Sequence, residues 1–150
     1  MEETEVLFRK YRDDVYRLAL SYTKSIQEAE DVCQSVFLKL MEHTVTPGKE
    51  RAWLMQVTVN QCRNLLRSAW WKSTADQEET IAIPGPEGNE VYLAVMALPP
   101  KYRVVVYLRY YEALTTKEIA HLLHITPTAV TTRMNRAKAM LRDALKEVTV

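Results

Sequence analysis

The sequence predicts an all-α fold: two small helical domains joined by a flexible acidic linker, the second with a helix-turn-helix. Three observations carry this. Apolar residues recur at spacings of three and four along most of the chain, the period of a helix face rather than of a strand. Ser or Thr followed three residues later by Glu stands ahead of two of these stripes, which is a helix-start signature. Residues 71–88, "WKSTADQEETIAIPGPEG", hold one Lys/Arg against four Asp/Glu, with two of the six prolines and two of the three glycines, a tether composition rather than a core. The expected division is therefore 1–70, a linker at 71–88, and 89–150, with formal charges of 0, −3 and +4.

Composition excludes several classes of function. At 150 residues and 47% hydrophobic content the chain can bury a core and is not disordered. Cys33 and Cys62 stand far apart without a CxxC or Cys/His cluster, so neither a metal site nor a disulfide framework is expected. Reduced thiols and a cytoplasmic location follow. No run approaches the roughly 20 apolar residues of a membrane span, so direct membrane insertion is not expected. The three histidines form no HExxH, and neither GxSxG nor GxxxxGK[ST] occurs. The chain is read as a non-enzyme without a cofactor.

In the first domain, Leu7, Tyr11, Val15, Leu18 and Tyr22 form one stripe on a helix over about residues 4–23. Ser25 and Glu28 offer a capping box ahead of Ala29, Val32, Cys33, Val36, Phe37, Leu40 and Met41, a second and very regular stripe. "TVTPGK" then breaks the chain. A third helix over about 50–69 sets apolar Ala52, Trp53, Leu54, Val57, Leu65 and Leu66 among Gln56, Asn60, Gln61, Arg63, Asn64 and Arg67.

In the second domain, Asn89 can cap a helix over 90–98, and "PP" starts another that ends near Tyr111. Thr115 and Glu118 form a further capping box. Thr126 caps the last helix with Pro127 at its first position, where a missing N–H is no loss. Val130, Met134, Ala137, Leu141, Ala144, Leu145 and Val148 supply its apolar side. Left over are Thr128, Thr131, Thr132, Arg133, Asn135, Arg136, Lys138 and Arg142.

That remainder is unusual in a chain whose net charge is only +1. After His124 come four threonines, three arginines and a lysine with no acid until Asp143. Two short helices, small Ala120 on the first, and a tight turn at "LLHIT" make a helix-turn-helix layout. In that geometry the second helix enters the major groove N-terminus first, so Thr128 to Arg136 face base edges and phosphates. Arginine can pair bidentately with guanine and asparagine with adenine. Threonine can donate to phosphate or touch a thymine methyl, whereas a carboxylate would be repelled by the backbone.

The stretch "ALPPKYRVVVYLRYYEALTTKEIAHLLHITPTAVTTRMNRAKAMLRDAL" resembles the promoter-reading carboxy-terminal domain of extracytoplasmic-function (ECF) sigma factors. "AEDVCQSVFLKL" and "RAWLMQVTVNQCRNLLR" resemble their amino-terminal domain. Both sets stand in order and cover nearly the whole chain. The resemblance implies a subunit that binds RNA polymerase core, directs it to specific promoters and assists promoter opening, in a stress or envelope response. It also implies an anti-sigma factor as partner. A stand-alone helix-turn-helix regulator is the alternative.

Residue by residue, the resemblance implies that Asp31 and Gln34 bind polymerase. Asn60, Arg63, Asn64 and Arg67 would face the minus-ten element, and residues 43–51 would receive a base flipped from the non-template strand. Thr126, Thr128, Thr131, Thr132, Arg133, Asn135, Arg136 and Lys138 would read the minus-thirty-five element. Unstacking a base costs a few kcal/mol, which a pocket matched to that base repays, so opening needs no ATP. Trp53 is expected to be buried, and Trp70 and Trp71 to pack or to stack on exposed bases. Three positions depart from the family pattern: Asn64 replaces a frequent aspartate, and Ala113 and His124 replace frequent glycines. Should position 124 need positive φ, histidine holds it at a cost of roughly 1 kcal/mol.

Overall fold

The computed structural model describes residues 2–69 and 90–148; the acidic linker, Asn89, Trp70 and Trp71 lie outside the described residues. Among the described residues are seven α-helices: α1 Glu2–Thr23, α2 Ile26–Met41, α3 Glu50–Ala69, α4 Glu90–Met96, α5 Pro100–Val106, α6 Thr116–Leu123 and α7 Pro127–Val148. No strand occurs among the described residues. The chain divides into two compact units, Met1–Ile81 and Ala82–Val150.

The first unit is a bundle of α1, α2 and α3, each packed on the other two. Val15, Leu18 and Tyr22 are buried as their spacing predicts, while Leu7 and Tyr11 nearer the helix start are half-buried. From α2 come Ala29, Val32, Cys33, Val36, Phe37 and Leu40; Met41, expected on that stripe, is instead 53% exposed. Ser25 caps α2, accepting from the Glu28 N–H at 3.2 Å. Between α1 and α2 the chain turns through Lys24 in the left-handed region, φ 55°. No glycine marks that turn in the sequence.

The core face of α3 differs from expectation. Of the apolar residues that the sequence assigns to it, only Leu54 is buried; Ala52 is exposed, and Trp53, Val57, Leu65 and Leu66 are half-buried. The buried set is Leu54, Met55, Thr58, Val59 and Cys62, a stripe interrupted by a polar residue. Thr58 tolerates burial because its hydroxyl donates to the Leu54 carbonyl at 2.6 Å, so no unpaired polar group enters the core. Trp53 sits instead at the bundle edge, its ring 5.6 Å from that of His43.

In the second unit, α4, α5 and α6 pack against α7. α4 ends at Met96, short of Leu98, which is buried nonetheless. α5 starts at Pro100 and runs on into a π-helical turn, Tyr107–Tyr111, in which Glu112 N–H donates to the Tyr107 carbonyl at 3.2 Å. Val104, Val105, Val106, Leu108, Ile119, Leu123 and Val130 form the innermost layer. Val130, Met134 and Ala137 are buried on α7 as expected, Leu141 and Leu145 are half-buried, and Ala144 is exposed. The apolar stripe outruns the body it packs against.

Candidate nucleic-acid interface

The α6–α7 pair forms through local chemistry. Thr115 Oγ1 accepts from the Glu118 N–H at 3.1 Å, and Glu118 Oε1 accepts from the Thr115 N–H at 2.8 Å, a complete capping box. His124 then takes φ 58°, ψ 44°. Its N–H donates to the His121 carbonyl at 3.3 Å and the Ile125 N–H to the Ala120 carbonyl at 3.0 Å, which closes α6. Thr126 Oγ1 accepts from the Ala129 N–H at 3.0 Å and opens α7. Ile119, Ala120, Leu122 and Leu123 bury one side of α6, so the pair is held as a unit.

On α7, the core face Val130, Met134 and Ala137 points inward, and the opposite side carries the candidate residues. Thr126, Thr128, Thr131, Thr132, Asn135, Arg136 and Lys138 are exposed; Arg133 is half-buried beside the core face. Thr128, Thr131, Thr132 and Asn135 share the middle of the outward face by their spacing. Arg136 and Lys138 flank it. Among the described residues none of Arg133, Arg136 and Lys138 enters an ion pair. Arg136 instead approaches the hydroxyl of Tyr102 on α5, lowering its pKa below the usual tyrosine value. The Tyr102 ring is buried while its hydroxyl tip meets solvent, and Lys101 Nζ lies 5.2 Å from the ring centre. Lys101 and Tyr102 thus add to a basic edge that sequence reasoning missed; "KYR" before a valine run gave no periodic sign of it.

The first unit presents two further surfaces. Asp31 and Asn64 line one groove between α2 and α3 with Glu28, Val32, Ser35, Gln61 and Leu65, about 340 Å³ in volume. Ser35 Oγ donates to Gln61 Oε1 across it at 3.3 Å. Glu28 therefore lines this groove, and Asp31 and Asn64, which the sequence placed on separate surfaces, share it. Gln34 is exposed on the other flank of α2, lining a hollow of about 630 Å³ with Thr4, Glu5, Phe8, Phe37, Leu38 and Met41. Asn60 and Arg67 are exposed and Arg63 half-buried on α3, and Asn60 Oδ1 accepts from Gln56 Nε2 at 3.2 Å.

The loop joining α2 to α3 is anchored at both ends. His43 Nδ1 lies 2.8 Å from the Lys39 carbonyl, and the Gly48 N–H donates to Glu50 Oε1 at 3.0 Å, with Gly48 at φ 90°. His43, Thr44, Val45, Pro47 and Glu50 face Glu3, Thr4, Val6, Leu7 and Leu40 across a hollow of about 560 Å³.

Neither cysteine is a reactive site. Burial pushes the Cys33 thiol up and the Cys62 thiol up to about 12, with Glu28 adding to the latter; the nucleophilic thiolate is suppressed in both. Among the described residues there is no metal-binding cluster, and no helix is long and apolar enough to cross a membrane.

Among the described residues, a three-helix bundle with a polar groove is thus followed by a second unit that carries a helix-turn-helix. The family pattern Sigma-70 region 2 matches residues 7–72, and Sigma-70, region 4 matches residues 88–141. SigM of Bacillus subtilis, an ECF RNA polymerase sigma factor, is 30% identical over 149 residues, with 91% of each chain covered. SigE of Mycolicibacterium smegmatis, also an ECF sigma factor, is 26% identical over 160 residues, 97% of this chain; the chain spans 62% of that relative's length. The fold is shared with the sigma factor RpoE of Bartonella quintana, solved in complex with the anti-sigma factor NepR. That match has a TM-score of 0.78 at 18% identity, covering 97% of this chain and 98% of that one. The chain belongs to the extracytoplasmic-function family of RNA polymerase sigma factors.

Proposed function

We propose that this sigma factor binds RNA polymerase core in the cytoplasm, directs it to specific promoters and helps open the duplex. In this reading residues 1–70 grip polymerase and the minus-ten element, 71–88 link, and 89–150 read the minus-thirty-five element. The observation that carries it is the exposed face of α7: Thr128, Thr131, Thr132, Asn135, Arg136 and Lys138 stand clear of the core with no carboxylate among them. Asp31 and Gln34 engage polymerase from the exposed side of α2. Asn60, Arg63, Asn64 and Arg67 engage the minus-ten element, and the hollow beneath the 43–49 loop offers room for an extruded base. The factor acts by binding, without hydrolysing a nucleotide. An anti-sigma partner and a stress or envelope response complete the reading, supported by membership of the family and by the RpoE–NepR likeness.

Run-off transcription with core polymerase and a promoter library tests it. Initiation at a defined subset of promoters, only when the factor is added, is the expected result. Equal initiation by core alone at those promoters, or tight duplex binding by the factor with no affinity for core, would overturn it.

A further inference from the structure

The four residues at the middle of the outward face of α7 are uncharged, and two of them have already committed their hydroxyl protons. Thr131 Oγ1 donates to the Pro127 carbonyl at 3.2 Å and Thr132 Oγ1 to the Thr128 carbonyl at 3.0 Å, although both side chains are exposed. A threonine bonded back to its own helix keeps only its γ-methyl and the oxygen lone pairs for a partner. Phosphate oxygens are acceptors too, so such a hydroxyl has nothing to give them. A thymine 5-methyl, by contrast, is an apolar group in the major groove that matches a side-chain methyl. Thr126, the N-cap of the same helix, makes the contrast. Its oxygen accepts from the Ala129 N–H, so its proton remains free for a phosphate.

We propose that Thr131 and Thr132 are specificity-determining residues that select thymine by methyl–methyl contact and do not serve as phosphate donors. This rests on α7 reading the minus-thirty-five element, and deepens it by naming the group recognised. Asn135, one turn beyond Thr131 and Thr132 on the same face, is placed to pair with adenine nearby. The middle of the element is then A·T in composition, with the guanidinium and ammonium groups of Arg136 and Lys138 at its flanks.

The test uses holoenzyme assembled from the full chain and core polymerase. A minus-thirty-five element is first selected from a randomised duplex library. Every thymine in it is then replaced by uracil, which deletes only the 5-methyl group. The unaltered factor should bind the uracil duplex about four-fold more weakly for each thymine methyl that a threonine covers. Thr131→Ser with Thr132→Ser should weaken binding to the thymine duplex by a similar factor and make the protein indifferent to uracil. Thr131→Val with Thr132→Val removes the hydroxyls, keeps the methyls, and should still prefer the thymine duplex to the uracil duplex. Equal affinity of the unaltered factor for both duplexes would overturn the proposal, as would selection of an element whose middle lacks A·T pairs. Loss of affinity in a folded valine variant, checked by circular dichroism, would return the hydroxyls to phosphate. Failure of the library to enrich any sequence would overturn the promoter-reading assignment as well. The uracil comparison needs no variant at all, so it stands even if the substitutions unfold α7.

Discussion

Arg103 donates from Nη1 to the Leu98 carbonyl at 2.8 Å and reaches the Met96 carbonyl at 3.4 Å, from a side chain only 4% exposed. A guanidinium in the core thus closes the end of α4 onto the start of α5. Burial lowers its pKa to about 10, and it stays charged at neutral pH. Hydrogen bonds from a charged donor contribute about 1.5–3 kcal/mol each, offset in part by the desolvation of the ion. Arg103→Met keeps the volume and removes the donors, leaving buried carbonyls unpaired. It should destabilise the full chain by about 1–3 kcal/mol in urea unfolding followed by circular dichroism. A change within experimental error would show that the arginine fills space rather than caps.

His124 at φ 58° and Ala113 at φ 55° both occupy left-handed backbone with a Cβ present. The conformation disfavours L-residues by roughly 1–2 kcal/mol, part of which glycine returns as extra freedom in the unfolded chain. His124→Gly and Ala113→Gly should each raise stability by about 0.5–1 kcal/mol. Both side chains are exposed, so no packing is sacrificed. Equilibrium urea midpoints check this; a fall in either midpoint would mean that the side chain does more than occupy the turn.

These turns also show what was legible in the sequence. Each capping residue announces itself locally: Ser25, Thr115 and Thr126 all accept the predicted backbone N–H. Helix content and most helix starts followed from such signals and from the apolar period, whereas α4 ends at Met96, short of the expected 98. The core face of α3 did not, because buried Thr58 breaks the stripe while its hydroxyl bonds to Leu54. No sequence signal marks Arg103 as buried, since a polar side chain satisfied by backbone carbonyls leaves no pattern. For the candidate faces, the outward side of α7 is what remains once Val130, Met134 and Ala137 turn inward. The groove shared by Asp31 and Asn64 depends on how α2 meets α3, which lies beyond any local pattern.

Cys62 gives a pH dependence with a definite sign. Its thiol pKa rises from 9.0 to about 12 on folding, by burial and then by Glu28. A raised folded pKa means that stability is fully present below the unfolded value and is lost as pH climbs toward the folded one. Between pH 8 and pH 10 this group alone should remove about 1.4 kcal/mol. Cys62→Ala lowers stability at pH 8 through poorer packing, yet its stability should fall less steeply from pH 8 to 10 than that of the unaltered chain. Parallel slopes for the two proteins would discount the shift. At pH 8 a thiol reagent should modify Cys62 only as fast as the bundle opens.

Asp31 is exposed on α2 beside the groove that Asn64 also lines. Reversing its charge disturbs no core residue, so Asp31→Arg should leave the unfolding midpoint unchanged to within about 0.5 kcal/mol. Co-purification with core polymerase should nevertheless be abolished. Asn64→Ala should retain core binding and lower promoter opening, read by permanganate reactivity of unpaired thymines. If both variants failed to bind core, the groove would belong wholly to the polymerase contact.

Arg136 lies at the flank of the α7 face with its guanidinium near the Tyr102 hydroxyl. A planar guanidinium at that flank is suited to paired donation to one guanine rather than to diffuse attraction to phosphates. Arg136→Ala should weaken minus-thirty-five recognition by about 1–3 kcal/mol and relax selectivity at a single base pair. Arg136→Lys keeps the charge without the planar pair of donors, so it should preserve the salt dependence of holoenzyme binding while losing the same base preference. Tyr102→Phe keeps the buried ring and removes the hydroxyl beside Arg136, and should show a smaller loss at that same base pair. Binding of promoter variants by each holoenzyme separates the outcomes. A uniform drop across all sequences for Arg136→Ala would assign the side chain to phosphate, because a backbone contact weakens every site alike.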